Sequence, residues 1–137
     1  MNPSVFPVAF RLTRGADLKL SIQSAVHQHN IHAGCVVSLV GCLSTLVIRL
    51  ADGDTTKTFN EPLEILSVSG SLTPDHVHLH ISVTDTEGRV WGGHLMEGSI
   101  VSHTAEVCLL SFSSYQFSRE YDGTTGYTEL LINKSES

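Results

Sequence analysis

Apolar and polar positions alternate along much of this chain, and a period of two predicts strands. Val5–Leu12 is the first, loosely alternating and broken by Gly15. The period then changes. Leu18, Ile22, Ala25, Val26 and His29 recur at helical spacing behind Asp17, a natural N-cap, and Asn30 and Gly34 bracket the exit. This is the one convincing helix. Cys35–Val40 and Leu43–Leu50 are β-branched and apolar, with Gly41 between them, so they read as two strands before a turn at Asp52-Gly53-Asp54. Further strands are expected at Leu63–Leu72, His76–Asp85, Arg89–Leu95 and Ser102–Phe112, with a turn at Thr73-Pro74-Asp75. The tail Phe117–Ile132 contains Asp122-Gly123 and Gly126 and reads as loop plus a short edge strand. One helix on a mainly antiparallel sheet is an α+β domain, and 137 residues without repeat or linker are expected to form a single one.

Composition narrows the function classes. With 41% hydrophobic and 16% charged residues, a chain of this length can bury a core without disulfides or metal. The formal net charge is −6, and the eight Lys and Arg residues are scattered with no two adjacent. Nucleic-acid binders usually gather positive charge on one face, so this counts against DNA as a partner. Cys35, Cys42 and Cys108 sit in apolar stretches without C-x-x-C spacing and are expected to be buried, reduced thiols. The N-terminus lacks the basic start of a signal peptide. The longest apolar run, Gly34–Ile48, falls short of the ~20 residues of a membrane helix. These features fit a soluble, cytoplasmic protein with no membrane partner.

The chemistry concentrates in one hairpin. Alternation places Val77, Leu79, Ile81 and Val83 on a core face, and His76, His78, His80, Ser82 and Thr84 on the other. Thr86-Glu87-Gly88 fits a three-residue hairpin loop, a type I turn closed by a left-handed residue. Asp85 then pairs with Arg89, Ser82 faces Gly92, and His80 faces His94. Directly opposed residues have Cβ atoms about 4.5–5.5 Å apart, and His78 is the next residue on the same face. Three imidazoles can therefore converge on one ion, and three histidines with an open fourth position suit zinc or another divalent transition metal. His78, His80 and His94 are the expected metal ligands, with His76 a candidate extra one. Gly92-Gly93 could admit a ligand, a partner subunit or a tight bend.

Other histidines carry weaker signals. His27, His29 and His32 gather at the helix's C-terminal end, where the helix dipole favours cations. His103 and Glu106 open the strand after the hairpin and could act in a second shell or as a proton shuttle. Together with Glu97 they are the candidate acids or bases for a metal-dependent hydrolytic enzyme, one of three functions in play.

Glu64-Ile-Leu-Ser-Val-Ser-Gly-Ser71, His78-Leu-His80 and Gly92-Gly-His-Leu95 together resemble the plant-and-prokaryote conserved (PPC) domain, which in plants accompanies AT-hook DNA-binding motifs. The resemblance spans nearly the whole chain, from Phe10-Arg-Leu12 to Tyr121-Asp122 and Thr125-Gly126. It implies an antiparallel α+β fold that assembles as a trimer. In stand-alone prokaryotic members the H-x-H and G-G-H residues look like a metal site, here His78, His80 and His94. Plant members lack these histidines. The basic Arg-Gly-Arg run of the AT-hook is missing from this chain. The leading expectation is thus a homotrimeric module whose metal site binds a small-molecule ligand or a protein partner. A DNA-binding, transcription-associated role rests on the family's AT-hook association.

Overall fold

The computed structural model describes residues 4–135. Its elements run β1 (Val5–Thr13), α1 (Leu18–Gln28), β2 (Gly34–Arg49), β3 (Thr56–Phe59), β4 (Leu63–Leu72), β5 (Val77–Thr84), β6 (Val90–Leu95), β7 (Ile100–Phe112), β8 (Tyr115–Asp122) and β9 (Tyr127–Lys134). The α+β class and the mainly antiparallel pairing are as expected. Seven strands form one sheet in the order β1-β7-β2-β4-β5-β6, with β3 on β2. A second pairing joins the end of β2 to β6, at Ile48 to Leu95 and Arg49 to His94. It closes β2, β4, β5 and β6 on themselves.

The helix forms where the apolar spacing places it. Asp17 caps it, its carboxylate accepting from the Leu20 N–H at 3.0 Å and from the Gly98 N–H at 2.7 Å. One side chain thus satisfies an otherwise orphaned helix donor and ties the helix to the β6–β7 connection. Leu18, Ile22, Ala25 and Val26 are buried. They join a core that includes Leu79, Ile81 and Val83 of β5 and Leu95 of β6.

Three local expectations are corrected. Gly41 does not separate two strands, because β2 runs through it for 16 residues. A Cβ there would lie 2.2 Å from the Thr104 carbonyl oxygen, so glycine lets β7 close onto β2 instead of ending it. The tail is no loop with an edge strand: β8 and β9 pair from Tyr115–Lys134 to Asp122–Tyr127 as a separate hairpin. Its turn is held by Asp122, which accepts from the Thr124 N–H at 2.8 Å. The four-residue β3 carries no long apolar run and was not expected. The cysteines are also less covered than their apolar neighbours suggest. Cys35 and Cys42 are partly buried and Cys108 is exposed, all as free thiols.

The β5–β6 hairpin has the expected register. His80 opposes His94, Ser82 opposes Gly92 and Thr84 opposes Val90. Gly88 takes the left-handed conformation, at φ +79°, that the three-residue loop requires. Asp85 holds this turn together. One carboxylate oxygen accepts from the backbone N–H groups of Glu87 and Arg89, each at 2.9 Å. The other accepts from Arg89 Nε at 2.9 Å and from the Trp91 indole at 3.2 Å. Burial pushes its pKa up, but the hydrogen bonds from Trp91, Arg89 and Glu87 prevail and hold it down at about 2.

A depressed carboxyl pKa contributes stability that is complete above the unfolded value and lost as pH falls through the folded one. For Asp85 that window runs from about 4 down to about 2. Asp85→Ala removes the acceptor for four donors and is expected to lower the thermal midpoint at pH 7 by more than about 5 °C. The gap between variant and wild type should narrow in melts taken toward pH 2. An equal gap at both pH values would show that the carboxylate's charge is not what holds the turn.

Candidate metal centre

Two strands and one turn build the site. On β5 the core side chains Val77, Leu79, Ile81 and Val83 are buried, while His78 is half-buried and His80 exposed on the opposite face. The turn brings His94 of β6 opposite His80. The imidazole centroids are 5.0 Å apart for His78 and His80, 5.3 Å for His78 and His94, and 5.9 Å for His80 and His94. One nitrogen of each ring lies within 4.8 Å of one nitrogen of the other two. Tetrahedral bonds of ~2.0–2.1 Å to one zinc ion require nitrogens roughly 3.3 Å apart. Rotation of the rings about their side-chain torsions covers that difference, so the donor set fits a divalent ion. His76 stands farther off, 6.4 Å from His78 between centroids and outside the three-residue group.

The neighbouring strands leave room for these rings. On β4, Ser67, Ser69 and Ser71 oppose Ser82, His80 and His78. Small hydroxyl side chains therefore line the histidine row, and Ser67 and Ser82 share a 2.8 Å hydrogen bond. A cavity of about 510 Å³ opens over the three histidines, walled also by Arg49, Leu50, Ala51, Ile81 and the two glycines. The glycine pair answers to neighbouring backbone. A Cβ on Gly93 would lie 2.8 Å from the Arg49 carbonyl oxygen, and one on Gly92 2.8 Å from that of Ile81.

The electrostatics favour the neutral form of His78 and His94. Burial lowers the His94 pKa most, and the Arg49 guanidinium, His78, Lys19 and His80 lower it further, to about 4. Burial also lowers His78, with His80 and Arg119 adding to it, while Glu129 works weakly the other way. Neutral imidazole is the form that binds metal.

The remaining candidates lie elsewhere. His103, Glu106 and Glu97 do not line this cavity. His103 Nδ1 instead lies 3.6 Å from Cys42 Sγ, beside a different hollow. Glu106 is exposed on β7, opposite Val40 and Arg11. His27 sits in the last helical turn and His29 caps it, as expected, with His27 Nε2 2.7 Å from the Pro74 carbonyl oxygen. Arg49, Ser67 and Ser69 were not singled out from the sequence. The period-two run of serines was a readable signal for the last two. For Arg49 there was none, because the β2–β6 closure that delivers it is long-range.

Residues 3–113 match the Plants and Prokaryotes Conserved (PCC) domain. The chain belongs to that family. A "Bifunctional protein GlmU" from Synechococcus is 48% identical over 130 residues, 95% of this chain and 21% of that protein. This PCC chain therefore spans about a fifth of the length of that curated relative. An Arabidopsis thaliana protein called "AT-hook motif nuclear-localized protein 4" is 28% identical, over 85% of this chain and 30% of its own length. Among solved structures, a hypothetical protein from Salmonella cholerae-suis superposes with a TM-score of 0.93 at 30% identity, covering 97% of both chains. A metal-containing protein from Archaeoglobus fulgidus gives 0.79 at 32% identity, covering 92% of this chain and 93% of its own.

A ring whose folded pKa is depressed resists protonation that the unfolded chain accepts. The metal-free protein should therefore lose stability as pH falls from about 6.5 to about 4. In that form the His94 ring protons are expected to titrate near pH 4 by NMR. A midpoint near 6.5 would show that neither burial nor Arg49 acts on the ring.

Proposed function

We propose that this PCC chain is a homotrimeric metal-binding module. His78, His80 and His94 hold one divalent transition metal, zinc first, and the fourth position is open to a ligand or partner. The observation that carries this reading is the convergence of three imidazole donors within 4.8 Å in the floor of a cavity. The Archaeoglobus relative, itself called metal-containing, supports it. The metal would supply a Lewis-acidic position able to polarise a bound oxygen. Among the described residues no carboxylate lines the cavity to serve as a general acid or base, which favours binding over hydrolysis. Val37 and Val40 of β2 and Leu66 of β4 are about half exposed, which supports self-association.

A DNA-binding role is the second reading, and the Arabidopsis relative's name is what favours it. The −6 charge and the scattered basic residues oppose it.

Purified protein is expected to carry about one metal per chain by elemental analysis, and His80→Ala to weaken its affinity by more than about tenfold. Retention at wild-type stoichiometry would refute the site. Light scattering after size exclusion should read three times the chain mass, and a monomer would refute the trimer. Duplex DNA at ~50 mM salt, where electrostatic attraction is strong, is expected not to bind. Saturable binding there would revive the second reading.

A further inference from the structure

We infer that the histidine site receives a small organic carboxylate, with one oxygen on the metal and the other on Arg49. The inference rests on the metal reading above and names the ligand class of the same site.

Arg49 directly opposes His94 across the β2–β6 seam and lines the same cavity. Opposed side chains share a face with Cβ atoms about 4.5–5.5 Å apart, which puts the guanidinium within reach of whatever binds the trio. Its Nε is buried and has no hydrogen-bond partner among the described residues. Arg119 Nε, outside the cavity, is in the same state, so it is the position facing His94 and the cavity lining that place Arg49 at the site. A guanidinium takes a planar two-oxygen partner best.

Charge bears on the same conclusion. Imidazole ligands bring no negative charge, so a divalent ion would keep its full charge, and Arg49 adds another. Among the described residues no acidic side chain lines the cavity. Glu129, the carboxylate that acts on His78, does so more weakly than the Arg119 cation. The occupied site thus lacks a counter-charge, and a half-buried excess of this size draws an anion. Leu50 and Ala51 on the wall provide an apolar surface for a short hydrocarbon part. Inorganic phosphate has no such part, which favours a carboxylate.

Cobalt(II) in place of zinc makes the test optical, because its visible bands respond to the fourth ligand. The cobalt-loaded wild type is titrated with acetate, butyrate and inorganic phosphate. Both carboxylates are expected to shift the bands saturably, butyrate at lower concentration than acetate. Arg49→Gln should keep about one cobalt per chain and lose carboxylate affinity by at least about tenfold. Arg49→Lys, which keeps the charge without the fork, should lose less. Carboxylate binding unchanged in a folded, cobalt-loaded Arg49→Gln would overturn the inference. So would bands that respond to phosphate alone or to no anion, and in those cases the metal reading survives. Failure of the wild type to hold cobalt at all would overturn both.

Discussion

The Asp85 carboxylate is the constraint on which the site depends. Its four acceptor contacts pin a three-residue turn, and the turn decides which residues of β5 and β6 face each other. A slip of one position would carry His94 to the core face and put Gly93 or Leu95 opposite His80. The histidines themselves contribute nothing to this choice, since three half-exposed imidazoles do not attract one another. A charged group at one end of the hairpin and the buried row Val77, Leu79, Ile81 and Val83 along its face do the selecting. The three histidines are placed by interactions that need no bound ion to form.

This division explains what was legible in the sequence. The hairpin site lies within 17 residues, and its register follows from a local turn and a period of two, both of which a sequence displays. Helix α1 was legible for the same reason, with its cap and apolar stripe contiguous. Arg49 was not. It lies 29 residues before His78 and reaches the trio only because β2 pairs with β6 at its last two positions. The β8–β9 hairpin was missed because much of it is exposed, with Tyr121 and Tyr127 both more than three-fifths open, so no buried face stamps its alternation. The cysteines misled in the opposite sense. Apolar neighbours in a strand do not cover a residue that points to the other face, and Cys108 does so in β7, between the buried Val107 and Leu109.

The protein is acidic as a whole, yet the histidine cavity is cationic. Arg49, Lys19 and Arg119 all act on the rings there, and no carboxylate among the described residues lines the cavity. The overall charge therefore says little about what this one site prefers. A cationic pocket on an anionic molecule attracts small anions at short range while the rest of the surface repels polyanions. Discrimination by ligand size thus follows from charge layout alone, before any shape is matched.

The long strand β2 gives the site a particular evolutionary rigidity. Its terminal residue Arg49 faces the cavity and its neighbour Ile48 faces the core, where it is buried. A single-codon insertion or deletion between Thr45 and Ile48 would exchange the two. The guanidinium would turn into the apolar interior and an isoleucine into the cavity, so the fold and the site would fail together. Replacing a histidine on this face leaves the buried row opposite it intact, whereas the length of this strand end cannot change gradually. Divergence around this pocket is therefore expected to proceed by substitution, with gaps confined to the connections outside β2.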